Sequence, residues 1–232
     1  MTPAQLFHAM EATWPPAAHR MLGPFLLRDG AGGGKRVSAA SAEGSWTDAD
    51  LTAAEAAMAE PLFLIRPGDE ALDAALAERG YQRIDPVVAY AAPAAQLAAE
   101  PPAHMTTFPH WPPMEIARQL WADGHIGLAR LAVMDRATGA KCAILSRASD
   151  RASGVAFVAC DGPMAMLHAL EVAPALRRQG SAHNILRAAA AWALDNGADT
   201  LALVVTEANA NARRLYASLG MTIVGQYHYR QK

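Results

Sequence analysis

Residues Leu170 to Ala182 read LEVAPALRRQGSA: a short apolar strand, a proline stop at Pro174, then Arg177-Arg178-Gln179-Gly180-Ser181-Ala182 opening a helix. A strand that feeds a glycine-containing turn at a helix N-terminus makes an anion site. Free backbone N–H groups converge there and the helix dipole is positive. Gly180 lets the backbone approach a ligand, small Ser181 and Ala182 keep side chains out of the way, and the arginines add charge. A pyrophosphate suits such a cradle.

About thirty residues on, Asn209 to Met221 read NANARRLYASLGM. Asn209 is expected to cap a helix carrying Ala212, Leu215, Tyr216 and Leu219, and Gly220 to end it. The stretch between, Leu201–Thr206, is continuously apolar and reads as a buried strand. Arg-x-x-Gly-x-Ala after Val-x-Pro, followed by Asn-x-x-Ala-x-x-Leu-Tyr-x-x-Leu-Gly, resembles the two signatures of the GNAT N-acetyltransferases. The order of elements agrees. Met114–Ala122 and Gly127–Ala137 read as helices, the second with Leu128, Leu131 and Met134 on one face. Lys141–Arg147, Gly154–Cys160 and Met164–Val172 read as strands, Asn184–Leu194 as a helix stopped by Gly197, and Met221–Tyr229 as a last strand. The resemblance covers about residues 104–232 and implies a mixed-sheet α/β fold, the acyl-CoA N-acyltransferase fold.

The N-terminal half reads differently. Arg20–Arg28 and Lys35–Ser41 suggest a hairpin around Gly30–Gly34, Asp48–Ala59 a helix capped by Thr47, Leu62–Arg66 a strand, Glu70–Arg79 a helix and Tyr81–Tyr90 a strand. Pro93–Pro102 reads as an Ala-rich linker. Shifting the chain by 140 positions lays Leu64-Ile65 on Val204-Val205, Asp69 on Asn209, Leu72 on Ala212, Ala75 on Leu215 and Gly80 on Gly220. Both copies read strand, capped helix, glycine, strand. The expectation is a tandem pseudo-dimer: a degenerate GNAT-like domain over 1–100 and a catalytic one over 104–232. The first copy has no Arg-x-x-Gly-x-Ala loop, and Leu76 stands where the second has Tyr216.

Acetyl transfer to an amine needs a polarised thioester carbonyl, a deprotonated amine, a proton for the departing thiolate and exclusion of water. The resemblance implies acetyl-CoA as cosubstrate, its pyrophosphate on Arg177, Arg178, Gln179, Gly180, Ser181 and Ala182. It also implies splaying of Met164–Val172 from Leu201–Thr206. Backbone groups of Leu170 and Val172 would then meet the pantetheine arm, Val172 N–H would face the oxyanion, and Asn209 would add a hydrogen bond. Tyr216 is the implied general acid; a phenol of pKa ~10 holds its proton at neutral pH. Helical spacing alone would favour a core residue instead. His168 has the right basicity to deprotonate an amine. His168-Ala-Leu-Glu-Val172 resembles the His-Ala-Leu-Ala-Val run of the arylalkylamine N-acetyltransferase branch. Period-two alternation places His168 with Met166, Leu170 and Val172, and Glu171 opposite. A hydrogen-bonded core histidine, with water as the base, is the other reading.

Composition bounds the rest. A chain that is 52% hydrophobic and 18% charged is globular. A net charge of −2 does not favour nucleic acid, no apolar run reaches membrane-span length, and Met1 to Trp14 lacks a signal-peptide pattern. Cys142 and Cys160 fit a reducing compartment, so cytoplasm is the expected setting. No metal is expected: His104, His110 and His125 lack ligand spacing. Gly32-Gly33-Gly34-Lys35-Arg36 lacks the Walker spacing and reads as a turn. Trp14, Trp46, Trp111 and Trp121 read as packing residues. Glu207 reads as solvent-facing, and Tyr227-His228-Tyr229-Arg230 either completes the sheet or reaches the acceptor pocket. The expected partner is a small-molecule or peptide amine, with the chain a monomer or homodimer. A non-catalytic acyl-CoA-binding or sensing module is the alternative, which would need the loop but not Tyr216.

Overall fold

The computed structural model describes all 232 residues. In chain order the elements are α1 (Pro3–Thr13), β1 (Ala18–Leu22), β2 (Phe25–Asp29), β3 (Ser41–Ala42), α2 (Asp48–Ala56), β4 (Leu62–Ile65), α3 (Glu70–Glu78), β5 (Gln82–Pro93), α4 (Ala94–Ala98), β6 (Thr107–His110), α5 (Glu115–Asp123), α6 (Leu128–Arg136), β7 (Lys141–Ala148), β8 (Arg151–Asp161), β9 (Met164–Val172), α7 (Ser181–Asp195), β10 (Thr200–Thr206), α8 (Ala210–Ser218) and β11 (Thr222–Gln231). Eight strands form one mixed sheet in the order β4-β11-β5-β10-β9-β8-β7-β6. A smaller sheet, β1-β2-β3, continues it through a parallel bridge from Ala40 to Phe63.

The two halves interlock. β11 lies between β4 and β5, and β5 lies between β11 and β10. Each strand–helix–strand unit thus accepts the other's last strand into its own gap. The registers repeat at the offset read from the sequence. Val204 pairs with Ala89 and Val205 with Val88; Leu64 pairs with Tyr229 and Ile65 with His228. Each of these four pairs maps onto another when both members are shifted by 140. The helix ends match as well: Tyr81 N–H bonds to Leu76 C=O and Met221 N–H to Tyr216 C=O, after Gly80 and Gly220 in the left-handed region. Seven elements recur in the same order, β1-β2-β3-α2-β4-α3-β5 and β7-β8-β9-α7-β10-α8-β11.

One face of the sheet packs under α7, α8 and α4, through Ile185, Leu186, Ala189, Tyr216 and Leu97. The other carries α1 over Leu62, Leu64 and Met166, and α5 and α6 over Val155 and Phe157. Three readings are corrected. The hairpin turn is at Gly23-Pro24, not Gly30–Gly34, because β1 pairs with β2 from Leu22↔Phe25 outward. The Gly30–Gly34 run instead lies against α6, so closely that a Cβ on Gly33 would sit 2.5 Å from Val133 Cγ2. The expected linker contains α4, whose Leu97 is buried under α7. Leu128 begins α6 but is 81% exposed; Met134 is buried as read, and Val133 joins it in the core.

Candidate active site

β9 and β10 pair in parallel only from Met164↔Thr200 to Leu167↔Leu203. Beyond that, β10 stays with β5 as far as Thr206↔Val87, while β9 stays with β8. The strands therefore splay between His168–Val172 and Val204–Thr206. A bulge accompanies the divergence. Phe157 pairs with His168 and Val155 with Glu171, so Ala169 and Leu170 together oppose Ala156, and Ala169 takes φ +51°. Trp121 Nε1–H donates to the Ala169 carbonyl at 2.8 Å and pins it. The bulge overturns the simple alternation. Leu167 and Leu170 both face α7, while His168 and Ala169 face Trp14 and Trp121.

Val172 sits where the splay is open. Ala173 N–H bonds to Ser153 C=O, so the neighbouring Gly154↔Val172 position is a non-hydrogen-bonded pair. That turns Val172 N–H and C=O away from β8. The carbonyl accepts from Arg177 Nε at 3.1 Å. Glu171 accepts from Arg177 Nη2 at 3.3 Å.

The loop into α7 is built as an anion cradle. Arg178 (φ +62°) and Gly180 (φ +85°) both occupy the left-handed region. Backbone N–H groups from Arg178 through His183 donate no hydrogen bond within the chain. A run of unpaired N–H groups around left-handed residues at a helix N-terminus is an anion nest. A Cβ at Gly180 would meet nothing within 4 Å, so the space above it is open. Ser181 is buried, its hydroxyl donating to Ser153 Oγ at 2.8 Å; it contributes its N–H rather than its side chain. Arg178 and Gln179 are exposed.

Asn209 caps α8, accepting from Ala212 N–H at 3.1 Å. Tyr216 on α8 is 5% exposed and packs against Tyr90 at 5.6 Å between ring centroids. Its hydroxyl has no hydrogen-bond partner within the chain, and burial pushes its pKa up to about 12. Glu207 is exposed, as read.

His168 is placed differently from a free base. It is buried, with Nδ1 3.0 Å from Arg36 Nη1 and Nε2 2.9 Å from Thr13 Oγ1, which in turn lies 2.6 Å from Ala9 C=O. Arginine can only donate, so Nδ1 accepts, Nε2 donates to Thr13 Oγ1, and the Thr13 hydroxyl donates to Ala9 C=O. Burial and then the Arg36 charge hold the ring well below the usual histidine range. Both nitrogens are occupied, and the ring is a neutral acceptor for Arg36.

A cavity of about 410 Å³ opens beside this histidine on the side away from α7. Its walls come from both halves: Trp14, Arg36 and Asp85 from the first, His168, Val204 and Tyr227 among those from the second. Tyr227 and Tyr229 turn to the cavity, while His228 and Arg230 turn to Asp73 on α3, both at 2.7 Å. Sequence reading passed over Thr13, Arg36, Asp85 and Arg130. The one available signal was Lys35-Arg36 directly after the glycine run.

A sequence profile of the acetyltransferase (GNAT) family matches residues 97–221. The chain belongs to the GNAT family. Its fold and its acyltransferase class follow from that membership, and the family uses an acyl-CoA cosubstrate. An uncharacterised N-acetyltransferase, YobR of Bacillus subtilis (strain 168), is 24% identical over 242 residues, with 95% of each chain covered. A GCN5-related N-acetyltransferase from Kribbella flavida superposes with TM-score 0.74 at 18% identity, over 99% of this chain and 95% of that one. A tandem GNAT protein from the clavulanic acid biosynthesis pathway superposes with TM-score 0.54 at 19% identity, over 72% of this chain and 58% of that one. This GNAT chain has no helix long and apolar enough to cross a membrane.

Proposed function

We propose that this GNAT protein transfers the acetyl group of acetyl-CoA to a primary amine by direct attack, in the cytoplasm. The observation that carries the reading is the coincidence of a free N–H cradle at Arg178–His183 with an open β9–β10 splay beside a walled cavity. Arg177 to Ala182 would hold the pyrophosphate, and backbone groups of Leu170 and Val172, with Asn209, the pantetheine arm. Bound there, acetyl-CoA supplies an activated acyl carbon.

The chain's own residues do the rest. Val172 N–H, turned out of the β8 ladder, donates to the carbonyl oxygen as charge grows there. Tyr216 holds its proton through neutral pH and donates a hydrogen bond to the departing sulfur. The amine's proton leaves through water, because His168 already gives its lone pair to Arg36. The new C–N bond forms from the cavity side as the C–S bond breaks.

Residues 1–100 act as a degenerate GNAT-like half that walls the acceptor cavity, and 104–232 as the catalytic half. The repeated register and element order support this division. Release of free thiol from acetyl-CoA, dependent on an added primary amine, tests the reading. Thiol release that no amine increases overturns it.

A further inference from the structure

The acceptor cavity holds an unusual cation. Arg36 is half-buried, and its one hydrogen bond goes to neutral His168. No carboxylate lies within ion-pair distance of it. Its Nε is the molecule's buried side-chain nitrogen without a partner. Its Nη2 also makes no hydrogen bond in the chain. Nε is closed off from solvent whereas Nη2 is not, so Nη2 is the donor left to meet an anion in the cavity. The guanidinium is oriented from behind by His168 and packed over the Trp14 ring at 5.8 Å. A partly desolvated charge costs free energy unless an opposite charge neutralises it, and the fold supplies no carboxylate to do so.

The surroundings add to this. Arg130 lines the same cavity with no ion pair, its guanidinium 3.7 Å from where a Cβ on Gly34 would sit. Asp85 is the one carboxylate in the lining, and it is taken by Lys35. The cavity therefore carries two uncompensated positive charges, from Arg36 and Arg130. Such a cavity repels a plain ammonium compound or a polyamine. It favours an amine that brings its own anion, and the positive surroundings help keep the attacking nitrogen neutral.

Resting on the acetyltransferase reading above, we infer that the acceptor is an amino acid or related amine bearing a carboxylate, held by Arg36 Nη2 with Arg130 beside it. Arg36 is then the residue that decides acceptor class.

The test is a thiol-release screen with acetyl-CoA on full-length protein. The probes are the common α-amino acids, β-alanine and 4-aminobutyrate, each against its carboxamide, with spermidine and a plain alkylamine. A carboxylate-bearing acceptor should exceed its carboxamide in kcat/KM by about 10- to 100-fold, the worth of one charge-assisted hydrogen bond. Arg36→Gln should erase that ratio, mainly through KM, while acetyl-CoA affinity measured by calorimetry stays at the wild-type value. Arg130→Gln, remote from His168, should reduce the ratio partly and guards against misfolding of the first variant. Equal rates on acids and amides, preference for spermidine, or acetyl-CoA binding with no transfer to any acid overturns the inference. Absence of acetyl-CoA binding by folded protein instead fails the reading beneath it.

Discussion

Replacing Tyr216 with phenylalanine removes one oxygen and should separate catalysis from folding. The ring is 5% exposed and packs on Tyr90 at 5.6 Å, contacts that phenylalanine keeps. The hydroxyl bonds to nothing in the chain, so its loss orphans no partner, and stability should change by less than about 0.5 kcal/mol. The catalytic cost follows from the chemistry. A phenol near 12 facing a thiolate near ~8.5 would transfer its proton uphill by roughly 5 kcal/mol, so Tyr216 acts by donating a hydrogen bond as charge gathers on sulfur. A hydrogen bond to a charged group contributes about 1.5–3 kcal/mol, which is about 10- to 150-fold in kcat. Thiol release at saturating acetyl-CoA measures the rate, thermal unfolding the stability, and calorimetry the unchanged cofactor affinity. Wild-type kcat in Tyr216→Phe would refute the assignment. A fall in Tm of several degrees would show that the hydroxyl serves the fold.

Two further outcomes concern the interface between the halves. Gly33→Ala places a Cβ 2.5 Å from Val133 Cγ2 and 2.9 Å from the Gly30 carbonyl, so the Gly30–Arg36 loop must leave α6. The change should cost about 1–3 kcal/mol of stability and raise acceptor KM while sparing acetyl-CoA affinity; wild-type KM would show that the loop does not shape the cavity. His168 is held neutral in the fold, its pKa well below the unfolded value of ~6.5, so the unfolded chain takes up the proton first as pH falls. Its contribution is present above pH ~6.5 and is lost progressively below it. His168→Asn, which can still accept from Arg36 and donate to Thr13, should flatten the loss in chemical-denaturation midpoints between pH ~6.5 and ~5; an unchanged slope would mean that other groups set it.

Much of the second half was legible because its signals are local. The Arg177–Ala182 turn and the Asn209 cap depend on residues adjacent in sequence, and both form as read. The first half was harder. The Thr2–Gln5 capping box with Pro3 at the first helical position is a readable helix start that marks α1. The glycine run drew the hairpin turn away from Gly23-Pro24, a stronger turn signal. Ala169 carries no mark of a bulge, since alanine is an ordinary strand residue and the positive φ is imposed by Trp121 and the splay. Arg36 meets His168 across 132 positions. Such a contact is set by how β11 and β5 interleave, which no local pattern encodes.

The proposed acetyl-CoA site lies within residues 104–232, at the Arg177–Ala182 cradle. Calorimetric titration of the full chain with acetyl-CoA tests it most directly, with Gly180→Glu beside the wild type. The expected result is one site per chain, abolished in the variant, whose carboxylate would enter the open space above the cradle. Two sites per chain, or undiminished binding by folded Gly180→Glu, would contradict the account.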